Sequence, residues 1–272
     1  MPLLELPQPY DFELSTGRFR AFGPDRANLW VDGALHRAVD GHDVRIAAAP
    51  GGVDVQPLDA ATAPVVRTLL GAPFDLDAFR AFAATEPVLS RVVEALPGLR
   101  PPLAPDPFES LVTSVTAQQV SLHAAFAIRN RFILAFGCAV GTVYTFPARE
   151  RVATAQPEEL TELGFSRRKA ECVIGLARTD VDLYALATLP DEEVKARLVA
   201  LTGIGEWTAD WFLARHLARP RAWPAGDLGL RKAVQRFYGA DGDIRSFGAR
   251  FAPFENLSAH YLLTGLLTGV PA

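Results

Sequence analysis

The hydrophobic pattern of this chain changes period once, and that change limits the folds available to it. From Ala27 to Leu58 apolar residues alternate with polar ones, most clearly in Val44-Arg-Ile-Ala and Val53-Asp-Val-Gln. Such a period of two puts one face of each strand in a core. Asp32-Gly33, Asp40-Gly41 and Gly51-Gly52 fall between the runs, and each is a tight-turn pair for antiparallel strands. A β-meander is predicted, followed by a helix from Pro64 to Leu70 that Gly71-Ala-Pro stops. Beyond that point apolar residues recur every three or four positions, Pro and Gly punctuate the runs, and no strand pattern returns. Asp106-Pro107-Phe108-Glu109, Pro157-Glu-Glu-Leu, Ser166-Arg-Arg-Lys-Ala and Asp191-Glu-Glu-Val read as helix starts, with capping groups or acids where the positive helix end favours them. The expectation is an α+β protein: an N-terminal antiparallel β-sheet domain over residues 1–72, then an all-helical domain over 73–272. With 49% hydrophobic and 21% charged residues in 272, the chain can bury a core and is not disordered.

The net charge of −4 argues against a generic polyanion binder. The charge is uneven, however. Residues 1–62 carry nine acids against five arginines, whereas Trp207–Arg236 carries Arg215, Arg219, Arg221, Arg231, Lys232 and Arg236 against Asp210 and Asp227. A local basic face can meet a polyanion although the total is acidic. Two cysteines, Cys138 and Cys172, exclude a four-thiolate cluster held by this chain and any disulfide framework, and both are expected in the core. The N-terminus shows no secretory pattern, and the apolar run Leu262–Val270 is too short to span a bilayer. A reducing, cytoplasmic setting is expected.

The stretch from Leu201 to Arg236 concentrates the chemistry. It opens Leu-Thr-Gly-Ile-Gly-Glu-Trp-Thr-Ala-Asp, joining two helical patterns through Gly203-Ile204-Gly205, and it holds three of the four tryptophans, Trp207, Trp211 and Trp223. A Gly-x-Gly alone could be an ordinary helix connection. Its other reading is a bare turn whose backbone N–H groups and following helix N-terminus approach a phosphate. About twenty residues on, Asp227 precedes Leu228-Gly-Leu-Arg-Lys and is placed to cap that helix. A capping carboxylate receives backbone N–H bonds that favour its charged form. Cleaving the bond between a sugar and a base builds positive charge on the sugar, which a fixed carboxylate can stabilise. Trp207 and Trp211 lie four apart on one helical face and could be plain core; their electron-rich rings would also attract a cation, by about 0.5–2 kcal/mol.

The hairpin, its spacing to Pro-Ala-Gly-Asp227-Leu-Gly-Leu-Arg, the helical surroundings and the N-terminal meander together resemble the helix–hairpin–helix DNA glycosylase superfamily, in particular its bacterial 3-methyladenine DNA glycosylase II (AlkA-like) branch. Pro97-Gly-Leu-Arg-Pro and Leu163-Gly-Phe-Ser-Arg-Arg-Lys-Ala also look like that branch, so the likeness covers most of the chain. Many members have Pro where Thr202 stands.

The resemblance implies a monomer that binds double-stranded DNA containing damaged bases in the nucleoid, flips a base between two helical lobes and hydrolyses its N-glycosidic bond in base excision repair. Asp227 stands at the catalytic aspartate. Trp207, Trp211, Leu228 and Phe254 would line the base pocket, and Thr202, Gly203, Ile204, Gly205, Thr208, Gln118 and Gln119 would contact DNA, Gln119 as the wedge that fills the gap left by the flipped base. Strand-cleaving members carry a lysine where Trp207 stands, and the only amine nearby in sequence is Lys232; this points to a monofunctional hydrolase. No cofactor and no catalytic metal are expected, although the superfamily admits a structural ion on the Gly203 and Gly205 carbonyls. Phe254-Glu255 replaces a common Trp-Arg, which bears on substrate range. The five histidines lack metal-ligand spacing, and Ser121 and His123 suggest no nucleophile triad. Two rival readings stand beside this one: a non-catalytic helix–hairpin–helix DNA-binding protein, and a glycosylase of the same fold for oxidised or mismatched bases.

Overall fold

In the computed structural model, which describes residues 2–272, the alternating stretch forms a five-stranded antiparallel sheet. Its elements are β1 (Leu3–Glu5), α1 (Phe12–Thr16), β2 (Leu29–Val31), β3 (Ala34–Val39), β4 (His42–Ala49), β5 (Gly52–Gln56) and α2 (Thr62–Leu69), with strand order β1-β5-β4-β3-β2. Asp32 and Gly33, then Asp40 and Gly41, all have positive φ, so both hairpins are two-residue turns whose twist matches the sheet. The third turn is displaced by one residue from the expected pair. Pro50 and Gly51 make it, and Gly52 is the first residue of β5, where a Cβ would meet the Leu4 carbonyl of β1 at 2.1 Å. One sheet face buries Leu35, Ile46, Val53 and Val55 against Val66 and Leu69 of α2.

The helical part comprises α3 (Leu76–Ala83), α4 (Pro87–Glu94), α5 (Pro107–Ala117), α6 (Leu122–Phe136), α7 (Arg149–Ala153), α8 (Pro157–Glu162), α9 (Arg167–Arg178), α10 (Asp191–Val199), α11 (Glu206–Arg215), α12 (Leu228–Tyr238), α13 (Ile244–Gly248) and α14 (Glu255–Thr268). Strand structure does return once, against expectation. β6 (Ala139–Val140) and β7 (Val143–Tyr144) pair as a hairpin too short to leave a periodic signal. Its tip docks on the sheet, where Thr142 donates both its hydroxyl and its amide N–H to Asp43 Oδ2, at 2.6 and 2.8 Å. Cys138, just before β6, is exposed rather than in the core; Cys172 is buried.

Two apolar cores divide the helices, and the division does not follow the chain. α5 to α11 enclose Phe132, Trp211 and Phe212. α3 and α4 pack instead with α12 to α14 around Phe79, Phe251 and Tyr261. The chain therefore leaves the second lobe after Leu103 and rejoins it at Trp223.

A buried ionic network ties the sheet to α5 and α6. Asp106 caps α5 through the Glu109 N–H, as its position foretold, while the Glu109 side chain turns inward. Its carboxylate takes Arg37 Nη2 of β3 and Arg129 Nη2 of α6, each at 2.6 Å, and Arg129 also pairs with Asp25. Asn28 completes the set by accepting from Arg37 at 2.7 Å. Burial alone would raise the Glu109 carboxyl, but Arg37 and Arg129 outweigh it and hold it below the ordinary 4.5. Its ionised form thus stabilises the fold above about pH 4.5, and that contribution is lost as pH falls through the depressed value. Glu109→Gln is expected to cost roughly 3–5 kcal/mol in urea unfolding at neutral pH and to flatten the acid limb of stability. Arg197→Gln, at an exposed pair with Glu193, should cost less than about 1 kcal/mol.

Candidate active site and nucleic-acid interface

Residues 200–205 join α10 to α11 in a turn whose two glycines have different reasons. Gly203 has φ +88°, and a Cβ there would lie 2.7 Å from the Cys172 Sγ of α9, so both backbone and space exclude a side chain. Gly205 is the N-cap of α11, supplies no capping side chain and faces open space. The first N–H groups of α11 are thus bare at an exposed turn, the arrangement that receives an anion. Ile204 is buried and anchors the turn, while Thr202 is exposed.

Two residues expected on DNA also brace the turn, and both line the cleft beside it. Gln118 Nε2 donates to the Gly203 carbonyl at 3.2 Å and to Thr208 Oγ1 at 3.1 Å, and Thr208 is buried beneath it. They lock the α5 terminus to the hairpin because each leaves the other's polar group satisfied. A structural cation on the two glycine carbonyls does not fit this arrangement: Gly203 O accepts Gln118, and Gly205 O accepts the N–H groups of Thr208 and Ala209. Gln119 differs from its neighbour. It sits at φ +54° in the exposed turn before α6, beside the exposed Val120 and Leu122.

Asp227 is the N-cap of α12, and its Oδ1 accepts the Leu230 N–H at 3.0 Å. Its other oxygen takes two further donors. Trp207 Nε1 lies 3.1 Å and Trp211 Nε1 3.0 Å from Oδ2. The four-residue spacing on α11 puts both indoles on one face, and that face points at the carboxylate. Three N–H groups hold Asp227 in one orientation and leave a lone pair of Oδ1 for a further partner. Trp211 is fully buried with the Arg215 guanidinium 3.5 Å above its ring centre, so that ring face is occupied; Trp207 is half-buried. Trp223, the third tryptophan of the stretch, is core, donating to the Ile244 carbonyl.

Asp227 opens into a cleft of about 1320 Å³ to which all three cores contribute. The sheet part sends Arg18 and Phe22, α5 and its turn send Gln118 to Leu122, and α14 sends His260 and Leu263. Leu228 stands at the rim, 71% exposed. Phe254 does not line it. As the residue before α14 it packs on Phe79 and Phe82 of α3, with ring centres 5.9 and 5.4 Å away, and Glu255 pairs with Arg221. The expected basic face is mostly consumed as well: Arg219 pairs with Asp191, Arg221 with Glu255, Arg236 with the Val270 carbonyl, and Arg215 enters the cleft. Arg231 and Lys232 remain exposed on α12.

Several cleft residues escaped sequence reasoning. Arg18 belongs to no motif, and Lys169 and His260 reach the cleft only through tertiary packing. Arg215 alone carried a signal, its spacing of four from Trp211. Lys169, rather than Lys232, is the amine in the cleft; its Nζ donates to the Thr116 carbonyl at 3.0 Å, and burial lowers its pKa. Among the described residues no cluster of His, Cys, Asp and Glu could hold a metal, and no helix is long and apolar enough to cross a membrane.

The chain is 31% identical over 277 residues to a probable bifunctional transcriptional activator/DNA repair enzyme AlkA from Mycobacterium tuberculosis, across 95% of this chain and 55% of that protein. The chain spans about half the length of the curated relatives it matches first. Among solved structures it is similar to a 3-methyladenine DNA-glycosylase from Archaeoglobus fulgidus, with TM-score 0.87, 25% identity and 98% of both chains covered. It is also similar to the Schizosaccharomyces pombe 3-methyladenine DNA glycosylase in complex with abasic DNA, with TM-score 0.60, 27% identity, and 69% of this chain and 95% of that one covered. The sequence profile described as HhH-GPD superfamily base excision DNA repair protein matches residues 112–247, which run from α5 through the hairpin and Asp227 to α13. With half of its length in that profile, the chain belongs to the HhH-GPD superfamily of base excision DNA repair proteins.

Proposed function

We propose that this protein is a monofunctional DNA glycosylase that excises alkylated bases, 3-methyladenine among them, from duplex DNA and leaves an abasic site. The observation that carries the reading is the Asp227 carboxylate, held by one backbone and two indole N–H groups at the wall of a cleft beside a bare hairpin turn. As the bond from C1′ to the base nitrogen breaks, its electron pair leaves with the base and positive charge grows on the sugar. A carboxylate that is already oriented stabilises that charge without reorganising, and the lone pair left on Oδ1 can orient the water that attacks C1′. Neither step calls on a redox cofactor or a metal.

Thr202, Gly203, Ile204 and Gly205 would hold a phosphate flanking the lesion, the backbone N–H groups acting in place of net positive charge. Gln119, projecting from an exposed turn, would enter the duplex as the flipped base leaves it. Trp207 offers no amine, and the amine of the cleft, Lys169, donates to the Thr116 carbonyl, which supports a hydrolase that works without a Schiff base. The separate apolar cluster of the sheet supports a division into residues 1–72 and 73–272, and the protein would act as a monomer on nucleoid DNA.

With methylated duplex DNA, the purified protein should release 3-methyladenine and yield alkali-labile abasic sites, with no adduct on borohydride treatment. A trapped adduct would contradict the monofunctional assignment, and duplex binding without release of any alkylated, oxidised or deaminated base would make the chain a binding module. The two hairpin glycines should separate when changed to alanine. Gly203→Ala is expected to lower stability by about 1–3 kcal/mol through strain and the Cys172 contact. Gly205→Ala should cost under about 1 kcal/mol yet weaken duplex binding, since its Cβ would stand where a phosphate approaches. Fluorescence anisotropy and thermal melting measure the two effects.

A further inference from the structure

Three elements of the cleft rim close on one another through single contacts. Gln118, the C-cap of α5, donates from Nε2 to the Gly203 carbonyl of the hairpin and to Thr208 Oγ1 of α11. Gly203 lies against Cys172 of α9 with no room for a side chain. α9 returns to α5 through Lys169 Nζ, which donates to the Thr116 carbonyl at 3.0 Å. The end of α5, the hairpin and α9 thus form a closed triangle, and Gln118 is the side that joins the hairpin to the turn carrying Gln119. That turn has little else to hold it. Ser121 caps α6 by accepting the Ala124 N–H at 3.2 Å. Among the described residues, Gln119 and Val120 make no hydrogen bond to the protein, and both are exposed. Gln119 also sits at φ +54°, a conformation that residues with a side chain hold only where their surroundings impose it.

The balance of energies says what the brace is for. Two neutral hydrogen bonds gain about what ordering a long glutamine side chain costs, so the pair adds little to stability. What it fixes is a distance. Phosphate contacts set the register of a protein on a duplex, and successive units of one strand are about 3.4 Å apart. An inserting side chain that drifts by a fraction of that step from the gripped phosphate meets the edge of a base pair instead of the gap between two. Because Gln118 is ordered when the protein folds, the complex with DNA is spared that cost.

Resting on the reading above, in which the hairpin grips a phosphate and Gln119 enters the duplex, we propose that Gln118 is the positioning residue for duplex opening. By holding the Gln119 turn at a fixed offset from the Gly203 to Gly205 hairpin, it makes phosphate contact and insertion a single event. Gln118 acts through its neighbour and not on the base or the sugar.

The test uses a duplex carrying 7-methylguanine beside 2-aminopurine, whose fluorescence rises as it loses stacking. Stopped flow follows opening, and base release is measured in the same single turnover. Gln118→Met keeps the length of the side chain and removes both N–H donors. Opening should slow by about tenfold, the size of one pairwise coupling. Release from the paired lesion should fall relative to release from the same lesion in a one-nucleotide bulge, which needs less unstacking; general damage to the fold would lower both alike. In a Gln119→Ala background the Gln118 change should slow opening by less than about twofold, because the residue through which it acts is gone. Thr208→Val removes one acceptor, keeps the bond to Gly203 and should slow opening by a smaller factor; it carries the test if Gln118→Met does not fold. Unchanged opening in the folded variants overturns the proposal. So does a full effect of Gln118→Met in the Gln119→Ala background, which would make Gln118 a DNA contact in its own right. A wild type that opens the duplex and releases no base overturns the glycosylase reading, while the fluorescence still decides the role of Gln118. A wild type that never opens the duplex overturns both.

Discussion

Everything distinctive about this molecule depends on one carboxylate having three N–H donors. Asp227 is fixed by the Leu230 amide of its own helix and by two indoles of another, and those helices belong to different apolar cores. Hydrogen bonds to a charged acceptor are worth about 1.5–3 kcal/mol each. The contact therefore joins the lobes as well as orienting the acid, and the cleft between them exists where the join is made. α3 and α4, contributed from before α5, complete the lobe that carries α12, so the chain must cross between lobes twice to place Asp227 opposite Trp207.

The sheet's part is electrostatic. Arg37 lies on the buried face of β3, where an arginine is costly unless paired, and Glu109 supplies the pair from α5. Arg129 extends the network to Asp25, and Arg18 emerges into the cleft close to that arginine. A network that satisfies its members internally holds the sheet at a defined position on the helices. Arg18 and Arg215, outside that network, line the cleft.

Much of the fold was legible because it rests on local rules. The two Asp-Gly turns specify their hairpins through positive φ, and Asp106, Ser166 and Asp227 cap the helices that follow them. Gly203 and Asp227 were legible for the same reason, since a bare turn and a capping acid are written in a few adjacent residues. What stayed hidden was tertiary. The β6–β7 hairpin is too short to show a period, and only its docking against Asp43 gives it shape. Gln118 and Thr208 looked like surface contacts, and their mutual bond could be seen only when α5 met α11. Phe254 was placed by analogy in position and turned out to pack on α3, because the direction of a side chain at a helix start depends on which neighbour offers an apolar surface. The basic face expected over Trp207–Arg236 was read by counting charges: Arg219 and Arg221 pair with acids and Arg236 with a carbonyl, while Arg18, unremarkable in sequence, lines the cleft.

Asn caps a helix about as well as Asp, so Asp227→Asn removes the charge and keeps α12 capped, at the cost of the oxygen that accepts the Trp207 and Trp211 N–H groups. Single-turnover release of 3-methyladenine from methylated duplex, measured beside the affinity for an abasic duplex, isolates the catalytic contribution. The account predicts a fall in release of about 10³-fold or more with affinity changed by no more than a few-fold. Release within tenfold of the wild type would contradict it.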